Sequence, residues 1–205
     1  GFTVGPDGAT HQSLEDVGIM RILPHMNVIT PCDYNQTYRA IIKCSKVDEP
    51  FYIRFYRDNS PNYTNPDAPF KFGKADTLYD GTDCTIIASG LMVWESMMAL
   101  ESLAKDGISV RLINMHTIKP LDKEAVIKAA KETGCIVTCE DHQKIGGLGG
   151  AVAEVLAQEY PTPIEFIGAS DTFGESGKAT ELYEKYGISS HFIAEAVKRA
   201  ISRKK

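Results

Sequence analysis

Apolar positions follow two alternating rhythms along the chain. Behind Ser13, residues Leu14, Val17 and Met20 recur at helical spacing, with Asp16 placed as a capping acid, so a helix is predicted there and Pro24 ends it. Residues 26–30 read as a short buried strand, and 35–45 as a helix with Tyr38, Ile41 and Ile42 facing inward. Residues 51–57 alternate: Phe51, Ile53 and Phe55 fall on one side, Tyr52, Arg54 and Tyr56 on the other. Further on, strands are predicted at 84–88, 109–114, 135–139 and 164–167. Helices are predicted at 92–105 (closed by Gly107), at 123–133 (between an Asp122 cap and Gly134), through Tyr160, and at 190–203. Trp94, Met97 and Met98 share helical spacing and are expected in the core. Strands alternating with helices imply an α/β fold with a mostly parallel sheet covered by helices on both faces.

Residues 58–69 interrupt the rhythm. Ser60-Pro61, Asn65-Pro66 and a low apolar content mark a linker, dividing the chain into parts at 1–67 and 68–205. Two strands and two helices are too few to close a core, so the first part is expected to be completed by other polypeptide. Because the chain opens at Gly1, the expectation is an excised or cleaved piece of a longer protein.

A hydrophobic content of 43% over 205 residues suits one or two globular domains. The net charge of −5 argues against nucleic acid as a partner, which calls for a basic face. There is no run of 18 apolar residues to span a membrane and no visible leader pattern. The five cysteines lack regular spacing and read as reduced thiols of a cytoplasmic protein. No metal site is expected, since Cys135 and Cys139 flank the strand-like Ile136-Val137-Thr138.

Candidate chemistry centres on Gly5-Pro6-Asp7-Gly8-Ala9-Thr10-His11-Gln12. An acid and a histidine four apart, in a turn entering a helix, suit a polar or anionic ligand at the helix mouth. A turn in which Asp7 bonds its own backbone fits the residues equally. Arg57 lies just beyond a predicted strand, where α/β sheets bind ligands, and a guanidinium grips phosphate bidentately. Arg54, on the alternate side, reads as structural. The cluster Gly146-Gly147-Leu148-Gly149-Gly150 follows a strand and opens a helix, but Val152 spoils the dinucleotide pattern, and close helix packing is the better account. His25, His116 and His191 read as turn or surface residues, and His142, without a paired nucleophile, is not read as a base.

The Gly5–Gln12 string, followed by Leu14-Glu15-Asp16 and Met20-Arg21, resembles the transketolase signature Gly-Glu-Asp-Gly-x-Thr-His-Gln, with Pro6 in place of the glutamate. Further likeness lies in Thr85-Ile86-Ile87-Ala88-Ser89-Gly90, Thr117-Ile118-Lys119-Pro120-Leu121 and Phe173-Gly174-Glu175-Ser176-Gly177, and covers the chain to about Ile201. It is greatest to transketolases whose N- and C-terminal sections are separate polypeptides. The resemblance implies an incomplete pyrimidine-binding domain at 1–67 followed by a transketolase C-terminal domain at 68–205. It implies transfer of a two-carbon ketol unit between sugar phosphates, with Asp7 and His11 as the catalytic pair on the donor sugar and Arg57 on its phosphate. Thiamine diphosphate and Mg2+ would be held mostly by absent segments, the main cofactor-binding residues lying upstream of Gly1. The implied partners are an N-terminal transketolase section and a second copy in a homodimer, and the isolated piece would be inactive. In the family, the stretch Glu140-Asp141-His142-Gln143 is assigned to packing and subunit contact. A deoxyxylulose-phosphate synthase fragment and a non-catalytic dimerisation module are the alternatives.

Overall fold

A computed structural model describes residues 1–57 and 59–204; Asp58, at the head of the predicted linker, and Lys205 lie outside the described residues. The first part carries a 3-10 helix (Phe2–Asp7), α1 (Ala9–Gln12), α2 (Asp16–Ile22), β1 (Asn27–Ile29), α3 (Tyr34–Cys44) and β2 (Phe51–Ile53). The second carries β3 (Asp76–Tyr79), β4 (Cys84–Ala88), α4 (Met92–Lys105), β5 (Val110–Asn114), β6 (Thr117–Lys119), α5 (Lys123–Thr133), β7 (Ile136–Gln143), α6 (Leu148–Glu159), β8 (Ile164–Ala169), α7 (Ala179–Lys185) and α8 (Ser190–Ser202). The larger sheet runs β3-β5-β4-β7-β8, parallel throughout except for β3 at its edge. The α/β architecture with a mostly parallel sheet is the one the apolar rhythm predicts.

Strand β4 is buried at all five positions, as a strand covered on both faces must be. Its alternation sorts the core. Cys84, Ile86 and Ala88 join Met92, Leu103, Ile193 and Val197 on the α4 and α8 side, whereas Ile87 joins Val126, Ala129, Leu148 and Val152 on the α5 and α6 side. Helix α5 begins where the Asp122 carboxylate accepts the Ala125 N–H at 3.2 Å and ends at Gly134, whose φ of 71° suits a residue without a side chain. Strands β3 and β6 and helix α7 escape the apolar rhythm because each is short, and β3 is no more than half-buried, on one face.

The two parts share a sheet and a core. Strand β6 pairs antiparallel with β1, whose other neighbour β2 is parallel, giving the order β2-β1-β6. Val17 and Val28 of the first part lie in the same buried cluster as Ile113, Met115, Ile118 and Leu148 of the second. The segment predicted as a linker forms no regular element over its described residues, yet it is pinned. The Asp33 carboxylate caps α3 by accepting from Gln36 N and also accepts from Tyr63 N, Thr64 N and Thr64 Oγ1, at 2.6–2.9 Å.

Two core assignments are corrected. Helix α3 buries Gln36, Ala40 and Cys44, while Tyr38 is 59% exposed and Ile41 and Ile42 are each 44% exposed. On its inner face Gln36 bonds Cys32 N, Asn114 and Asp76, while the small Ala40 and Cys44 pack with Ile29 and Phe70. The apolar stripe, extended by Tyr34, therefore points outward. On α4, Met98 is exposed and Trp94 and Met97 are half-buried, because Val93, Ser96, Ala99 and Leu103 occupy the face turned to the sheet.

The reversed orientation of α3 gives a direct test. Ile41→Lys should change the unfolding free energy of the chain by no more than about 0.5 kcal/mol, whereas Ala40→Leu should cost about 1–3 kcal/mol by overpacking a fully buried position. Urea denaturation followed by circular dichroism measures both, and a large loss for Ile41→Lys would place the stripe inside.

Candidate functional site

Between Phe2 and Ser13 the backbone makes a tight double turn. Gly5, at φ 63° and ψ −113°, kinks the 3-10 helix, and Gly8 follows at φ 79° and ψ −170°. Both are conformations that side chains resist. Ser13, predicted to cap a long helix, instead adopts φ 47° and ends the single turn of α1; α2 starts after Glu15 without a side-chain cap. The cause is a pair of long-range bonds, one from each part, which draw this stretch out of helical geometry. Gln143 N donates to the Leu14 carbonyl at 2.8 Å, and Arg54 Nη2 donates to the Ser13 carbonyl at 3.3 Å. One helical turn aligns few peptide dipoles, so loop geometry rather than a helix mouth sets the positions of Asp7 and His11.

The Asp7 carboxylate and the Arg57 guanidinium meet in an ion pair between Oδ2 and Nη1, although 50 residues separate them. The side chains are 34% and 61% exposed, so the pair contributes little to folding and leaves most of the guanidinium's donors facing solvent. Arg57 also rims a cleft of about 280 Å³ at the start of α3, together with Asp33, Tyr34, Thr37, Phe55 and Tyr56. Asp7 and His11 do not line that cleft. His11 is exposed on α1, where its Nδ1 lies 2.9 Å from Thr10 Oγ1, which fixes the ring's rotation. The structure thus joins Asp7 to Arg57 and leaves His11 on the adjoining turn. Strand β2 ends at Ile53, so Phe55 leaves the sheet and is 62% exposed.

Beneath this surface lies a buried polar hub. Arg54 is 7% exposed; its Nε pairs with Asp16 at 3.0 Å, its Nη1 donates to the Asp141 carbonyl at 2.8 Å, and its guanidinium lies over the Tyr56 ring. Tyr52 Oη donates to the same Asp16 carboxylate at 2.6 Å. The Asp141 carboxylate accepts from Phe2 N at 2.9 Å and from Tyr183 Oη at 3.2 Å. Arg54 therefore ties the strand leading to Arg57 both to the turn carrying Asp7 and to β7 of the second part.

Glu140, Asp141 and His142 are all buried, and none faces the cleft. Glu140 accepts from Leu148 N and Gly149 N at 2.7 and 2.8 Å, filling with its own carboxylate the place a phosphate takes in a glycine-rich loop. A Cβ on Gly147 would lie 1.9 Å from that carboxylate, and one on Gly149 2.5 Å from the Phe166 ring, so these glycines serve packing. Burial pushes the Glu140 carboxyl up to about 7, against the two N–H bonds. His142 sits between Gln143 O (2.7 Å from Nδ1) and Gly18 N, which donates to Nε2 at 3.1 Å. Burial lowers its pKa. His116 is not at the surface as expected. It is fully buried against Phe70, with ring centroids 4.4 Å apart, and burial lowers its pKa to about 4. Its neighbours in the chain form buried strands, which the residue type alone did not signal.

Gln12, Gly174 and Glu175 form contacts that the reading of residue types passed over. Gln12 is fully buried, and its Nε2 donates to the Glu175 carbonyl at 2.8 Å. The signal available was Gln12 itself, a polar residue closing the Gly5–Gln12 string.

Removing Arg54 should be costly and removing Arg57 cheap. Arg54→Met leaves Asp16 buried without its cation and should lower stability by about 3–5 kcal/mol, while Arg57→Ala should change it by less than about 0.5 kcal/mol. Denaturant titration of both variants checks the contrast, and equal losses would contradict it. Stability should also vary with pH. A histidine whose pKa falls on folding contributes fully above the unfolded value of about 6.5 and loses that contribution as pH falls toward its folded value. For His116 this window runs from 6.5 to about 4 and is worth up to about 3 kcal/mol. Glu140, raised from 4.5 to about 7, acts in the opposite sense, its contribution fading as pH rises through that range. Thermal midpoints measured from pH 8 to 4.5 should therefore fall more steeply for Glu140→Gln than for the parent chain, and less steeply for His116→Phe.

Comparison with known proteins places this geometry among relatives. Residues 1–62 match the family model for the transketolase pyrimidine binding domain, and residues 73–193 match that for the transketolase C-terminal domain. The chain is 42% identical over 204 residues to the 6-deoxy-6-sulfo-D-fructose transketolase subunit SqwH of Clostridium sp. (strain MSTE9), covering 100% of this chain and 63% of that protein. It is 46% identical over 200 residues to the putative transketolase C-terminal section of Methanocaldococcus jannaschii, covering 96% and 62%. Identity to the 1-deoxy-D-xylulose-5-phosphate synthase of Syntrophotalea carbinolica is 36%, covering 97% of this chain and 32% of that one. A solved structure described as a split gene transketolase, inactive beta4 tetramer, superposes with a TM-score of 0.94 at 41% identity, over 97% of this chain and 65% of that one. The chain thus spans less than two thirds of the length of these relatives.

Proposed function

This chain belongs to the transketolase family, and from that premise we propose that it is the C-terminal section of a split, thiamine-diphosphate-dependent transketolase that moves a two-carbon ketol unit between sugar phosphates. Residues 1–67 are the later part of a pyrimidine-binding domain in this reading, and 68–205 are the C-terminal domain. Asp7 accepts from a hydroxyl of the donor sugar, and His11 bonds the oxygens beside the reacting carbon, an imidazole being able to donate or accept. Arg57 holds the phosphate. The observation that carries the reading is the exposed Asp7–Arg57 pair. It brings a carboxylate that can accept from a sugar hydroxyl and a guanidinium that can donate to a phosphate from distant segments to one face, with His11 on the next turn, and does little for the fold.

The cofactor is assigned to other polypeptide because the donors of this cleft do not fit it. Among the described residues lining the cleft, the carboxylate is that of Asp33, which already accepts four hydrogen bonds from protein groups and has no lone pair left for Mg2+. The exposed stripe of Tyr34, Tyr38, Ile41 and Ile42 on α3 and the open edge of β2 support completion of the first part by an N-terminal transketolase section. The beta4 description of the solved relative, an inactive assembly, supports the further proposals that the chain alone does not catalyse and that it self-associates; a homodimer is the assembly that the family resemblance implies. No helix among the described residues is long and apolar enough to cross a membrane, and a cytoplasmic place in the pentose phosphate pathway fits the proposed reaction. Deoxyxylulose-phosphate synthesis is the second reading, favoured less because the relative of that name is less similar.

Mixing the full-length polypeptide that carries this chain with an N-terminal transketolase section, thiamine diphosphate and Mg2+ should restore ketol transfer between pentose phosphates, which neither component shows alone. Asp7→Ala and His11→Ala should each lower kcat/KM by roughly a hundredfold or more, and Arg57→Ala should act mainly on KM. Pyruvate consumption by the wild-type mixture in place of ketol transfer would establish the second reading instead. Assembly without either activity would leave dimerisation as the function.

A further inference from the structure

The turn that carries Asp7 and His11 has little to hold it in place by itself. Pro6, Asp7, Ala9, Thr10 and His11 are all exposed, and the bonds within it include Gly8 N to Gly5 O at 3.2 Å, His11 N to Gly8 O at 3.0 Å and the exposed Thr10 Oγ1–His11 Nδ1 contact at 2.9 Å. What it rests on is the loop 174–177 of the second part. Gln12 reaches into that loop, with Nε2 donating to the Glu175 carbonyl at 2.8 Å and, more weakly, to the Gly5 carbonyl at 3.5 Å. One buried amide therefore closes the turn on itself and fastens it to the other part. The approach leaves no space: a Cβ on Gly174 would lie 1.6 Å from Gln12 Oε1. A Cβ on Gly5 would lie 3.1 Å from the Gly177 carbonyl oxygen, and one on Gly8 2.7 Å from Ser176 Oγ. The loop is itself anchored. Tyr186 Oη has Phe173 O at 3.3 Å and Glu175 Oε1 at 3.2 Å as acceptors for its one proton, Lys185 pairs with Glu175, and the Tyr186 ring stacks on Phe2 at 4.4 Å.

We propose that Gln12 is the positioning residue of the Asp7–His11 turn and that loop 174–177 is its cradle, so that the second part sets the geometry in which the donor sugar is held. The inference rests on the reading of Asp7 and His11 given above. A scaffold contact would have served with any buried apolar side chain. A lone amide between two carbonyls fixes direction as well as distance, and a buried polar group is costly unless its partner stays where it is.

Gln12→Glu keeps the shape and removes the donor. As a carboxylate it faces two carbonyl oxygens; once protonated, its O–H donates to the Glu175 carbonyl again. In the full-length polypeptide assembled with its N-terminal section, Gln12→Glu should raise the KM for the phosphorylated donor roughly tenfold to a hundredfold near neutral pH. The variant-to-wild-type ratio of kcat/KM should then recover as pH falls. Gly174→Ala attacks the same contact from the other side and should give a similar rise without the pH recovery. Gln12→Ala combined with Gly174→Ala should be no worse than either alone. These last variants decide the matter if Gln12→Glu does not fold. A second arm needs no catalysis: compared with wild type at the same pH, the NMR signals of the His11 ring in the full-length polypeptide should be shifted in Gly174→Ala throughout and in Gln12→Glu near neutral pH, with the Gln12→Glu difference vanishing on acidification. A wild-type assembly without ketol transfer overturns the functional reading and leaves the NMR arm to judge the cradle. Unchanged KM and unchanged His11 signals in both variants, or additive losses in the double variant, overturn the cradle.

Discussion

A single buried guanidinium determines where the exposed chemistry of this chain sits. Arg54 could not remain charged in the interior without partners, because an unpaired buried cation costs several kcal/mol. It finds them in Asp16 and the Ser13 carbonyl, on the stretch after His11, and in the Asp141 carbonyl on β7. Satisfying one side chain thus fixes the strand end before Arg57, the turn after His11 and strand β7 with respect to one another. Asp141 repeats the logic in reverse, its carboxylate drawing in Phe2 N and Tyr183 Oη. The exposed Asp7–Arg57 pair inherits its register from this layer rather than creating it.

The alternating strands and helices of the second part were legible because strands of a parallel sheet covered on both faces carry runs of apolar residues, as Ile86 to Ala88 of β4 and Ile136 and Val137 of β7 do, although β7 ends in the polar Glu140 to Gln143. Caps at Asp122 and Gly134 were legible for the same kind of local reason. Helix α3 was read inside out: its apolar stripe suggested a buried face, whereas Gln36 and Ala40 occupy it, and spacing alone does not say which of two faces a neighbour will cover. Ser13 looked like a cap and became a left-handed stop, because long-range bonds to Ser13 O and Leu14 O outweighed a local preference. His116 was read as a surface residue and is buried, since one isolated histidine carries no sign of its strand neighbours. At the candidate site, the residue types of Asp7, His11 and Arg57 could be chosen from the string and from the position after a strand. Their mutual placement could not, because contacts across 50 to 160 residues leave no periodic trace in a sequence.

Polar groups, more than apolar area, give the junction between the two parts its specificity. Gly18 N on His142 Nε2, Gln143 N on Leu14 O and Gln12 Nε2 on Glu175 O each name one partner and one direction. The apolar cluster around Val17, Val28 and Leu148 supplies adhesion without that selectivity. Burial of His142 and Glu140 within the same layer makes the junction sensitive to protons in opposite senses.

Strand β6 carries a lesson for anyone who would divide this polypeptide. Its three residues lie beyond the irregular segment that looks like the natural place to cut, yet they hydrogen-bond to β1 on the near side. Severing the backbone there would not separate two finished objects. It would strip β1 of a neighbour and leave β6 as an orphaned ribbon, two sticky margins that would seek each other or a stranger's strand. The covalent seam and the mechanical seam of the molecule are different places.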